Sequence, residues 1–261
     1  MSTATIDPVS HHTDNTPDPG DTVTSSKRAR MGSLRKTALA AGVLYLISFV
    51  SIPTLILYGA VRGPDYILGS GPDSPALIGG VLEVIVALAG LGTAVVLYPI
   101  LKRQHQGVAL GFVGTRTLEG AGLIAGVVAL MTVVSLRQAG AGAAGLVTAK
   151  ALVAMYGWAF LLSGSLMPAL NALLLGSLLY RSRLVPRALP TLGLIGAPLL
   201  LVSVFAIMFG IIDRTSPAAL FLAIPIAVWE FSLGVYLIVK GFKPSPLTAG
   251  ITTAGAQPTA V

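Results

Sequence analysis

Long apolar runs separated by short polar links set the pattern of this chain. Six runs, at about 37–60, 77–101, 108–135, 151–180, 188–212 and 217–239, each reach the roughly 20 apolar residues that cross a ~30 Å hydrocarbon layer. The pattern predicts an all-α fold, a polytopic transmembrane bundle of six spans. The fourth run is over-long, so a tilt or kink is expected there, with Pro168 as its natural place. Pro53, Pro198 and Pro225 interrupt other runs, and neighbouring helices can re-satisfy the carbonyls they free. The longest link, about 61–76, is rich in Gly, Pro and Asp and is expected to be a connector, with capping of a cavity as its other use. Residues 1–32 and 244–261 are too polar to fold alone and are expected as disordered tails flanking a transmembrane domain at 33–243. The first apolar run begins near Thr37 and is too long for a signal peptide.

Composition fits this picture. Hydrophobic residues make up 54% and charged residues 10%, against the roughly 25% charged of a soluble domain, so the surface has to face lipid. The net charge of +7 does not point to nucleic acid, because the basic residues lie between apolar runs. Lys27, Arg28, Arg30, Arg35, Lys36, Lys102, Arg103, Arg181, Arg183, Arg187, Lys240 and Lys243 fall on one side of the six spans. Arg62, Arg137, Lys150 and Arg214 fall on the other, and this 12:4 bias predicts both termini in the cytoplasm and a place in the cell membrane. Tyr58, Tyr98, Tyr156, Trp158, Tyr180 and Tyr236 lie near span ends, where an interfacial aromatic belt is expected.

The chain holds three glutamates, Glu83, Glu119 and Glu230, and all fall within spans, as does Arg116 one turn before Glu119. Four unpaired charges facing lipid would cost on the order of 10–14 kcal/mol, so they are expected to face the bundle interior and one another. Each glutamate recurs with small residues at helical spacing: Gly79, Ala87 and Gly90; Gly122 and Gly126; Ala227 and Gly234. Relative depth pairs Arg116 with Glu230, with Glu119 close by; Asn171, in the fourth span, is expected to make an interhelical hydrogen bond, with joining this network as the alternative. Like charges resist sharing a low dielectric, so one glutamate is expected to keep a proton, and Glu83, the most isolated, is the candidate.

Other chemistry lacks its residues. There is no cysteine, and the three histidines (His11, His12, His105) lie outside the spans. No metal-binding HExxH, no phosphate loop and no nucleophile elbow around Ser163-Gly164-Ser165 occurs. No catalytic residue, metal or cofactor is therefore expected. Arg181, Arg183 and Arg187 form a basic loop that orients the chain and could touch anionic lipid headgroups.

Several features together resemble an uncharacterised bacterial membrane-protein family, domain of unknown function 4386. They are Arg116-x-x-Glu119, the run Leu179-Tyr180-Arg181-Ser182-Arg183-Leu184-Val185-Pro186-Arg187 with Gly193-Leu194-Ile195-Gly196, and Pro225, Trp229-Glu230 and Lys240-Gly241-Phe242. The resemblance covers about 33–243, implies a multi-span membrane protein, and brings no activity. The expected function is that of a non-enzymatic, multi-pass membrane module whose Arg/Glu cluster is structural. The alternative is a small proton- or cation-linked transporter using the cluster, with two inverted three-span halves carrying Glu119 and Glu230 as a weaker sign.

Overall fold

The structure is a computed structural model that describes residues 19–245. Among them only helices and turns occur. Helix α1 (Pro19–Ile47) passes through a 3-10 turn, Ser48–Ser51, and across Pro53 into the short α2 (Thr54–Leu57). Then come α3 (Ser74–Leu101), α4 (Gln106–Gln138), α5 (Leu146–Leu161), α6 (Met167–Ser182), α7 (Ala188–Met208) and α8 (Pro217–Val239). Six helical stretches are long and apolar enough to cross a membrane: Leu34–Leu57, Ser74–Leu101, Gln106–Gln138, Gly142–Ser182, Ala188–Met208 and Pro217–Val239.

The expected tails meet the structure only in part. Residues 1–18 and 246–261 lie outside the described residues, but α1 begins at Pro19, well before the expected boundary at 32. Lys27, Arg28, Ala29, Arg30 and Met31 are strong helix formers, which lets the apolar helix extend backwards. At the other end the packed structure runs past 243. The Lys243 amide donates to the Leu184 carbonyl at 2.7 Å, and the buried Ser245 hydroxyl donates to the Ser182 carbonyl at 2.8 Å.

α5 and α6 form one long crossing joined by a π-turn, Leu162–Leu166, just ahead of Pro168. Proline has no N–H to give the preceding turn, and a π-turn is one of the identifiable ways a helix absorbs that loss. The over-long fourth run thus bends where the sequence places it.

Each crossing packs on the next, and α1 packs on both α3 and α8, closing a ring. The seam between α1 and α8 is tight: a Cβ added at Gly42 would sit 2.7 Å from the Gly234 carbonyl oxygen. The outside of the ring is apolar, with Ile56 85%, Phe221 71% and Leu88 59% exposed, while Glu83 is 1% exposed. Such an arrangement, greasy outside and acidic inside, suits hydrocarbon as the surrounding medium.

Two large packed cores and a small cluster of Val86, Ala87 and Leu123 fill the bundle. The end that carries Lys102, Arg181 and Lys240, here the basic end, is filled by Leu97, Leu101, Phe112, Leu175, Leu178 and Leu233. The opposite end is filled by Tyr58, Val61, Tyr66, Leu130, Val133 and Tyr156.

Candidate functional site

Between the two cores lie the embedded polar groups. On α4 a spacing of three places Arg116 and Glu119 on one face, one turn apart. Arg116 Nη1 donates to both Glu119 oxygens at 3.0 Å, and Nη2 donates to Glu230 Oε1 on α8 at 2.9 Å. Nη2 also reaches the Tyr45 hydroxyl on α1 at 3.3 Å. The guanidinium stands 5.3 Å from the centre of the Tyr45 ring and 5.8 Å from that of Phe112. On α6, Asn171 donates to Glu119 Oε2 at 2.5 Å and accepts from the Thr115 hydroxyl. Arg116 Nε is buried with no partner among the described residues.

A cavity of about 260 Å³ opens beside this cluster. Arg116, Glu119 and Glu230 line it, together with Ser48, Ser51 and Ser165. All six crossings contribute to its wall, including Val86 of α3, Phe160 of α5, Pro168 of α6 and Leu200 of α7. Its lining positions run from mid-membrane away from the basic end. The core around Leu97, Phe112 and Leu175 closes the other direction. The π-turn contributes Gly164 and Ser165, so the bend of the fourth crossing shapes the cavity directly.

Glu83 sits elsewhere. Its Oε2 accepts from the Tyr58 hydroxyl and its Oε1 from the Tyr156 hydroxyl, both at 3.1 Å. The two rings meet edge to face at 5.5 Å. Gly79, one turn before Glu83, makes room for Tyr58: a Cβ there would lie 2.5 Å from the ring.

The family model for a domain of unknown function, DUF4386, matches residues 40–241. The chain belongs to this family. No curated protein and no solved structure matches it.

The matched DUF4386 segment contains every embedded polar residue expected from sequence. The structure joins Arg116 with Glu230 and Glu119, as their depths suggested, and Asn171 bonds across to Glu119 in the same network. It leaves Glu83 out of that cluster, because α3 points Glu83 at α2 and α5. Sequence reasoning missed Tyr45 as a partner of Arg116, and Tyr58 and Tyr156 as partners of Glu83. Tyr58 and Tyr156 were expected in an interfacial belt, but they are buried, with their hydroxyls on Glu83. Their nearness to span ends was visible; the face they occupy was not. The signal that could have found them is the buried glutamate, which needs donors. The basic loop keeps Arg181, Arg183 and Arg187 exposed, with Arg187 4.9 Å from the Tyr180 ring centre. Arg183 takes a left-handed conformation (φ 56°) and ends α6. The link at 61–76 does pack: Tyr66 and Ile67 are buried.

Proposed function

We propose that this DUF4386 protein binds a proton or a small cation at Glu119 and Glu230 and carries it as a small transporter. The observation that carries the reading is the cavity of about 260 Å³ reaching both carboxylates and Arg116. A cavity of that size has room for several waters or a small solute. One guanidinium against two carboxylates leaves one negative charge over, and in a low dielectric that charge asks for a proton or cation. The serine hydroxyls in the wall offer further oxygens, and the free Arg116 Nε–H offers a donor for a water. We further propose, from the 12:4 bias of basic residues, that both termini lie in the cytoplasm and that the cavity occupies the outer half of the cell membrane.

A structural reading is favoured by one observation, the ion pair at 2.9 Å between Arg116 of α4 and Glu230 of α8, which can fix how the two helices align. One experiment separates the two. The full-length chain is reconstituted in liposomes holding a pH-sensitive dye and compared with Glu119→Gln and Glu230→Gln. Under transport, proton flux driven by a pH or cation gradient falls about tenfold or more in either variant, the size expected from losing a charge-assisted hydrogen bond of about 1.5–3 kcal/mol. Unchanged flux with a lowered melting temperature would make the cluster a scaffold.

A further inference from the structure

Four basic residues lie toward the end of the bundle opposite the basic end: Arg62, Arg137, Lys150 and Arg214. Arg137 is satisfied: it pairs with Asp73 at 2.8 Å, donates to the Gly71 carbonyl, and stacks 4.2 Å from the Tyr66 ring centre. The other three form no ion pair among the described residues.

These three converge. Arg62 and Lys150 line a cavity of about 170 Å³ whose walls include Val61, Ile67, Val133 and Val153. Arg214, from the link between α7 and α8, does not line that cavity but lies against the same helix α5 two turns beyond Lys150. A Cβ at Gly157 would meet its Nη1 at 2.9 Å. Its field and that of Arg62 repel each other, and its buried Nε has no partner. Burial is the main reason its guanidinium is held below the usual arginine value; the Tyr156 hydroxyl opposes the shift and Arg62 adds to it.

The acids nearby form no ion pair with these cations among the described residues. Arg62 acts across space on the buried Glu83. Asp65 and Asp213 are exposed and neither joins an ion pair among the described residues. No ion pair among the described residues engages Arg62, Lys150 or Arg214, so their charged donors stay available beside an apolar-walled cavity. Arginine pairs phosphate oxygens in a planar fork and lysine adds a mobile point charge, so the set suits a phosphate group.

We propose that Arg62, Lys150 and Arg214 form a phosphate-binding site at the end of the bundle opposite the basic end. The anion sits at the mouth of the cavity, and an attached apolar chain follows Val61, Val133 and Val153. A phosphate ester reaches this place either as the headgroup of an anionic glycerophospholipid or as a free phosphate compound. The site shares no residue with the Glu119–Glu230 cavity and stands whether or not that cavity transports anything.

The test uses the full-length chain in an uncharged maltoside detergent at constant ionic strength. Its melting temperature is followed while phosphatidylglycerol or inorganic phosphate is added. Saturating ligand should raise it by about 3 °C or more in the native chain. The rise should vanish in Arg62→Gln/Lys150→Gln/Arg214→Gln and persist in Arg103→Gln/Arg181→Gln/Lys240→Gln. A rise with phosphatidylglycerol alone assigns the lipid; a rise with inorganic phosphate assigns the free anion. If the triple variant does not fold, the exposed Lys150→Gln alone should weaken the ligand's midpoint by about tenfold, one lost charge contact. No rise in the native chain, an equal rise in the triple variant, or an unmoved midpoint in Lys150→Gln overturns the proposal.

Discussion

Asp73, at the N-terminus of α3, accepts from the Tyr66 hydroxyl, from Gln138 Nε2 at 2.9 Å, and pairs with Arg137 at 2.8 Å. The Tyr66 hydrogen bond, then that of Gln138, holds its carboxyl below the usual aspartate value. Burial, and then the bond to Asp73, pushes the Tyr66 phenol up to about 12. A depressed carboxyl favours the folded state above its unfolded value of about 3.9, and that advantage fades as pH falls through the lower folded value. Asp73→Asn should therefore lower stability by about 1 kcal/mol at pH 7, since water screens this solvent-accessible carboxyl. It should also flatten the loss of melting temperature seen when the native chain is taken from pH 5 to pH 3. A native chain with no acid limb in that range would refute this. Single residues were legible where physics forces them inward. Arg116, Glu119 and Glu230 had to turn inward and pair: all three are paired, Arg116 and Glu119 are buried, and Glu230 is half-buried. Tyr58 and Tyr156 were not legible, because a tyrosine near a span end satisfies lipid interface and core equally well until its helix is rotated into place.

At the scale of helices, the packing contacts explain what small residues do. Gly42 of α1 faces the backbone of α8, with 2.7 Å from a would-be Cβ to the Gly234 oxygen. A backbone oxygen cannot rotate away as a side chain can, so Gly42→Ala has to part the two helices. A loss of about 1–3 kcal/mol is expected. Gly114 on α4 has nothing within 4 Å, and Gly114→Ala should instead stabilise by up to about 1 kcal/mol through helix propensity. Thermal melts of the two variants should move in opposite directions; equal shifts would contradict the tight seam. The same scale shows why Glu83 parted from the other acids. Gly79 admits Tyr58 to the α3 face that carries Glu83, and Gly126 brings Tyr156 near from α5, so two hydroxyls satisfy the carboxylate without Arg116.

For the whole molecule, six crossings put both termini on one side. The proposal that this side is cytoplasmic rests on the charge bias. The chain has no native cysteine, so single cysteines can be introduced cleanly. A cysteine at Gln104 should be blocked from a membrane-impermeant thiol reagent in intact cells, and one at Ala143 should react. The reverse pattern would invert the topology and place the cavity toward the cytoplasm. The amino-acid sequence by itself determined the surroundings, the number of crossings and the inward burial of the acids. Hydrocarbon punishes unpaired charge and open backbone so heavily that few alternatives survive. Only the tertiary structure decided which donors met which carboxylates, where the ring left a cavity, and that Arg62 and Lys150 came to line one smaller cavity. Those outcomes depend on the rotation of each helix about its axis, which is set by close packing between neighbours rather than by any pattern along one segment.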